Sequence, residues 1–203
     1  MRRLLIVVER IHRLQAVRIT HKSRLRRGPS SWYSPRVSID DCPHTFKQLA
    51  EEVLPDDMRR MRAAIAAPMK MELVAGGRRA VLEHFGRVSD FSGCYVLVEK
   101  SVPFYVGISR KVVSRLTQHI KGKTHSDASL AYAMACRCCE HSMRRAKAMA
   151  DEAFLAAFEQ ERARIRNMDV AAIEIENPVE LYLFEVYAAL ELRTALHNTF
   201  RTH

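Results

Sequence analysis

Two tyrosines, an arginine, a histidine and a glutamate are the side chains whose spacing in this chain could support chemistry. Tyr95 and Tyr105 stand on either side of a polar Lys100-Ser101 turn. Arg115 and His119 are four apart, so a helix there presents both on one face. Both sit at the edge of the stripe formed by Val112, Val113, Leu116 and Ile120, where a polar group can reach out from beside the core. Glu185 is the most pointed case. On a helical projection Leu181, Ala188, Ala189, Leu192 and Leu196 all fall within about 60° of it, whereas Glu180 and Glu191 fall on the far side and are expected to be solvated. A carboxylate in the middle of an apolar stripe is costly unless it meets a cation, a metal or a proton. Taken by itself, a satisfied structural carboxylate fits that position as well as a catalytic one. Cys136-x-Cys138-Cys139-x-His141 has the look of a soft-metal cluster. On a helix, however, Cys138 points away from the other two, and no second pair stands at a zinc-module distance. Small core cysteines suit the pattern better.

The elements that must position these groups follow from periodicity. Cys94, Val96 and Val98 alternate with Tyr95, Leu97 and Glu99, and a second short run covers 104–108, which together predict an antiparallel hairpin. With its centre near Lys100, Tyr95 and Tyr105 would be direct cross-strand neighbours; a one-residue slip would separate them. A helix is expected over 111–121, then a Gly/Lys turn, then a helix from Ala128 capped by Ser126 or Asp127. A long charged helix is expected over 144–167, burying Ala146, Met149, Ala150, Ala153, Phe154, Ala157, Phe158 and Ile165. A third strand is expected over 170–176. The last helix starts at Asn177-Pro178, a cap followed by proline at the first helical position, and is expected to run to about His197. Upstream, 40–67 has helical spacing interrupted by Pro55, and 70–88 holds another helix after Gly76-Gly77.

Composition bounds the function class. With 203 residues and 48% apolar content the chain has room for one ordinary domain plus extensions. No apolar run approaches the roughly 18 residues of a membrane span, and Leu4 to Val8 is too short for a secretory core. The reading is therefore of no membrane association. Five cysteines, an odd number, do not make a disulfide framework and suit a reducing, cytoplasmic compartment. The net charge is +10, but residues 1–38 hold ten of the basic residues against the single acid Glu9, leaving the body close to neutral. Such an arm could hold phosphates through salt-sensitive attraction; it could equally be a tail, a targeting stretch or an early start. Three segments result: a basic arm over 1–39 ending in a Gly/Pro/Ser-rich linker, a helical lead-in over 40–90, and a main domain over 91–203.

Gly93-Cys94-Tyr95 followed by Tyr105-Val106-Gly107 resembles the paired signature of the GIY-YIG nuclease superfamily, with Cys94 where isoleucine is usual. The resemblance continues in order through Arg115, His119, Glu185 and Asn198. It covers about residues 91–203 and implies an α+β fold there, a small three-stranded antiparallel sheet flanked by helices, to which the helical N-terminal extension read from apolar spacing is added. It also implies metal-dependent hydrolysis of phosphodiester bonds, with DNA as partner. In that reading Glu185 binds one divalent cation, Mg²⁺ or another such as Mn²⁺, and Arg115 holds the scissile phosphate. Tyr95 is the first choice of base, with His119 as a neutral acceptor for its proton. Tyr105 would orient the water or the phosphate, and Asn198 would anchor the metal helix or hold the phosphate. Lys111 and Arg110 are further phosphate candidates by position. The alternative is a nucleic-acid-binding or interaction module on the same fold without catalysis. Oligomeric state is left open by the sequence.

Overall fold

The hairpin expected around Lys100 forms, and its details explain where the tyrosines go. In the computed structural model, which describes residues 39–139 and 145–198, strand β2 (Gly93–Glu99) pairs with β3 (Val102–Ser109). For labelling in chain order, β1 is Met69–Lys70 and β4 is Asp169–Glu174. Lys100 and Ser101 both take positive φ, 50° and 66°, which gives the tight two-residue connection that suits strand twist. The register then shifts between Leu97 and Val98, so that Leu97 faces Tyr105 while Val98 faces Pro103. Phe104 is the extra residue of this bulge, next to a proline that could not have donated to the ladder. Tyr95 consequently pairs with Gly107 rather than with Tyr105. The two phenols stay on one face because the displacement is of two residues, which preserves the alternation.

The sheet has four strands in the order β1-β4-β2-β3, all pairings antiparallel. The additional strand, β1, comes from the lead-in segment and lies at the edge, so the expected three strands become four. The fold is mixed α+β, with helices on both faces. One face, carrying Tyr95, Leu97 and Val170, packs against a core that includes Val112, Leu116, Phe154 and Phe158. The other, carrying Cys94, Val96, Val98 and Ile173, packs against Leu54, Met58, Met61, Leu181 and Phe184.

The helices are α1 (Phe46–Gln48), α2 (Leu54–Ala66), α3 (Glu72–Ala75), α4 (Arg78–His84), α5 (Val112–Lys121), α6 (Ser129–Cys138), α7 (Arg145–Ala148), α8 (Glu152–Arg166) and α9 (Pro178–Glu191). Several differ from expectation for identifiable reasons. Pro55 does not break its helix: a π turn, Leu49–Val53, joins α1 to α2, and Pro55 sits in the first turn of α2 where no donor is required. The single helix expected over 144–167 is divided, because Asp151 caps α8 by accepting from the Phe154 N–H at 2.9 Å. Ala150 and Ala153 are therefore exposed rather than buried. Helix α6 starts after Ala128 with no side-chain cap from Ser126 or Asp127. Helix α9 has the expected Asn177 cap, accepting from Val179 and Glu180 N–H groups, but it ends at Glu191, short of His197. Arg193 takes φ 57° and Thr194 N–H bonds back to the Ala189 carbonyl, a left-handed stop built without glycine. Leu196, beyond that stop, is 70% exposed instead of lying in the apolar stripe. The basic arm up to residue 38 and His141 lie outside the described residues.

Candidate active site

Tyr95 lies over Gly107, and this explains the glycine. A Cβ at position 107 would come within 2.4 Å of the Tyr95 hydroxyl and 2.9 Å of the Tyr105 ring, so any other residue would displace the phenol. Gly93 serves a related purpose, since a Cβ there would come 2.1 Å from the Ile173 carbonyl oxygen of β4. Tyr95 is 1% exposed, and its hydroxyl is 2.7 Å from His119 Nε2. His119 is 0% exposed; it is inside the core and not at the rim of the α5 stripe as its projection suggested. Its Nδ1 has no partner among the described residues.

Burial, helped by the charge of Arg115, lowers the His119 imidazole to about 3. Burial likewise pushes the Tyr95 phenol well up, with Tyr105 adding to the rise and Arg115 opposing it. Both partners are thus neutral at neutral pH, and Tyr95 is not a preformed phenolate. Tyr105 is half-buried, its ring centroid 6.2 Å from that of Tyr95 and 6.2 Å from that of His119. Burial raises it too; Glu185 pushes it further up, while Arg115 and the facing Tyr95 hydroxyl hold it down. Tyr105 is therefore the side chain that senses both the guanidinium and the acid.

Arg115 extends from α5 toward the start of α6, where it donates to Gln118 Oε1, the Asp127 carbonyl and Ser129 Oγ. The start of α5 is itself fixed by a residue that the sequence reading missed. Asp90 accepts from the N–H groups of Phe91, Val113 and Ser114 and from the Ser114 hydroxyl at 2.7–3.0 Å. Burial opposes its charge, but these donors outweigh it and hold the carboxyl below its ordinary value. An acid capping a helix across 23 positions leaves no local signature.

Glu185 projects from α9, which packs on the face opposite Tyr95, and its charge reaches Tyr105 and Cys94. Burial raises its carboxyl, and no described residue gives it a hydrogen bond or an ion pair. Its hard oxygen donors and lack of an internal partner fit a divalent cation that keeps most of its ligands as water. No cluster of three or more His, Cys, Asp or Glu side chains among the described residues is arranged to hold a metal. Glu180 corrects an expectation. It is not a free solvated acid, for it faces Asp57 of α2, and burial together with that pairing raises it to about 7.

Asn198 follows α9 and grips β3: its Nδ2 donates to the Val106 carbonyl at 2.6 Å, and its Oδ1 accepts from the Val106 N–H at 2.9 Å. Both ends of its amide are thus spent on the outer edge of β3. His197 beside it stacks on Phe104 at 3.8 Å between ring centroids. Lys111 and Arg110 are exposed between β3 and α5. Cys94 is buried at 0% exposure, its thiol pushed well up by burial and then by Glu185 and Asp57; it is a packing residue. Cys138 is exposed and its thiol donates to Glu161 at 3.4 Å.

Residues 91–164 match the family model described as GIY-YIG catalytic domain. The match includes Tyr95, Tyr105, Arg115 and His119 and stops before Glu185 and Asn198. No curated protein and no solved structure matches the chain. No described helix is long and apolar enough to cross a membrane. A tyrosine pair on a bulged hairpin, one member bonded to a buried histidine and lying over the glycine of the second triplet, agrees with that match: residues 91–164 belong to the GIY-YIG nuclease superfamily.

Proposed function

We propose that this chain is a metal-dependent endonuclease that hydrolyses DNA phosphodiester bonds. The observation that carries the reading is the 2.7 Å bond between the Tyr95 hydroxyl and His119, set beside the Arg115 guanidinium on a GIY-YIG hairpin. Phosphodiester cleavage needs an activated water, neutralisation of phosphate charge and help for the leaving oxygen. Arg115 answers the second need with a planar cation suited to phosphate oxygens.

The first need falls to the phenols. Tyr95 is enclosed, so Tyr105, half-buried and facing it, is the phenol that water reaches. The water proton passes to the Tyr105 oxygen, the Tyr105 proton to Tyr95, and the Tyr95 proton to His119 Nε2, leaving hydroxide and an imidazolium. Negative charge growing on the phosphate in the transition state favours that imidazolium and offsets the low resting proton affinity. Glu185 would hold the divalent cation, Mg²⁺ or Mn²⁺, which supplies Lewis-acid charge to the phosphate when bound. Asn198 holds the strand that bears Tyr105. Residues 91–203 would form the nuclease domain with 40–90 as its lead-in. Residues 1–39 would form a basic arm beside the DNA, and Lys111 and Arg110 would add phosphate contacts. The five free thiols support a reducing compartment such as the cytoplasm.

Incubation of supercoiled plasmid with Mg²⁺ tests this reading. Wild type should nick it, and Arg115→Ala and Glu185→Ala should each be slower by about 10²–10³, the usual loss for one electrostatic element. Equal nicking by all three proteins would point to a contaminating nuclease and contradict the assignment, and no nicking by wild type would favour a non-catalytic binding module.

A further inference from the structure

Arg115 spends the terminal end of its guanidinium on the protein itself. Nη1 donates to Gln118 Oε1 at 3.1 Å and to the Asp127 carbonyl at 2.8 Å, and Nη2 donates to Ser129 Oγ at 2.7 Å. A guanidinium has five N–H groups in a fixed plane. Three of them meet these acceptors, and the guanidinium also lies within hydrogen-bonding reach of the Tyr95 hydroxyl. A planar guanidinium held in this way keeps a fixed orientation, which is what bidentate recognition of phosphate oxygens requires. The charge of the cation is felt at Tyr95, Tyr105 and His119, although its contacts with Gln118 and Ser129 are open to solvent.

The acceptors that take the other N–H groups are built into the chain. The Thr124 hydroxyl donates to Asp127 Oδ2 at 2.7 Å and accepts from the Asp127 N–H at 3.1 Å, and the Ala128 N–H bonds to the Thr124 carbonyl at 3.1 Å. Ala128 is fully buried. The turn closes tightly on α5: a Cβ on Gly122 would come 2.5 Å from the Gln118 carbonyl oxygen and 2.6 Å from Asp127 Cβ. The Asp127 carbonyl and Ser129 hydroxyl are therefore delivered to the guanidinium by an ordered turn.

We infer that Ser129, together with the Asp127 carbonyl, is a positioning residue for Arg115: the entry to α6 clamps the terminal nitrogens of the guanidinium and so fixes the orientation in which it meets the scissile phosphate. This rests on the nuclease reading above. A long, freely rotating arginine would have to be ordered during each turnover; here much of that ordering is done in advance.

The test compares wild type, Ser129→Ala, Ser129→Thr, Arg115→Ala and the Ser129→Ala/Arg115→Ala double variant, with melting temperatures as folding controls. Ser129→Ala should lower kcat by roughly 3–10-fold, the scale of one hydrogen bond, with KM nearly unchanged. Ser129→Thr should restore it. The double variant should be no slower than Arg115→Ala, since Ser129 acts only through that side chain. Nitrogen NMR of the arginine side chain gives a readout that does not depend on catalysis. The two Arg115 Nη groups should be resolved in wild type and Ser129→Thr and averaged in Ser129→Ala. Full activity in Ser129→Ala, a further loss in the double variant, or unchanged Nη resonances would overturn the clamp while leaving the nuclease reading intact. Full activity in Arg115→Ala would instead overturn that reading, and the clamp's catalytic role with it.

Discussion

Helix α9 carries two acids within about one and a half turns of each other, and the fold treats them in opposite ways. Burial raises both Glu180 and Glu185. Glu180 faces Asp57, which is 3% exposed and whose Oδ2 has no donor among the described residues. Two carboxylate oxygens can only accept, so this contact becomes a hydrogen bond when Glu180 carries the proton. Asp57 then keeps its charge against Arg60 at 2.6 Å, and Arg60 also donates to the Glu174 carbonyl. Glu185 receives neither proton donor nor guanidinium from any described residue. An acid that holds two helices together is satisfied from within the fold; for the one left without a described partner, the proposed function supplies a cation from outside. Asp90, held down by four donors, marks the other extreme.

That contrast can be broken at each acid in turn. At Glu185, substitution by Gln should cost about 10²–10³ in nicking rate while leaving the melting temperature at or above the wild-type value. A clear drop in melting temperature would make Glu185 a structural acid like Glu180. At Asp90, substitution by Ala should cost about 1–2 kcal/mol in urea unfolding, the upper range for loss of a helix cap. Because the Asp90 pKa is depressed, its contribution is present above the ordinary value of 3.8 and is lost as pH falls through its folded value. An Asp90→Ala protein with an unchanged acid profile would contradict the assignment. At Glu180 the sign reverses. Its pKa is raised, so its contribution is complete below 4.5 and is lost as pH rises through about 7. Glu180→Gln, which keeps a donor toward Asp57 at every pH, should gain about 0.5–1.5 kcal/mol at pH 8 and flatten the fall in stability from pH 5 to 8. A variant less stable than wild type at pH 8 would mean that the two carboxyls do not share a proton.

The legible parts of the molecule were those in which chemistry and periodicity coincide within a short stretch. Alternation gave β2 and β3, and Asn177-Pro178 gave the start of α9, because caps and pleats are local. Glu185 was visible as a carboxylate on an apolar stripe. The same projection applied to α2 would have found Asp57 between Leu54, Met58 and Met61, but Pro55 hid the continuity of that helix. The bulge at Phe104, the Asn198 grip on Val106 and the Asp90 cap depend on residues brought together from distant positions. The burial of His119 had a different origin. Tyr95 reaches over a glycine to satisfy it, and only the assembled hairpin shows that the space exists.

Single-turnover cleavage of a labelled DNA duplex across a Mg²⁺ titration, with wild type and Glu185→Gln side by side, tests the central claim most directly. Wild-type cleavage should rise from nothing in chelator to a plateau, with the variant about 10²–10³ slower throughout. A Glu185→Gln protein that follows the wild-type curve, or wild-type cleavage that persists in chelator, would contradict the account.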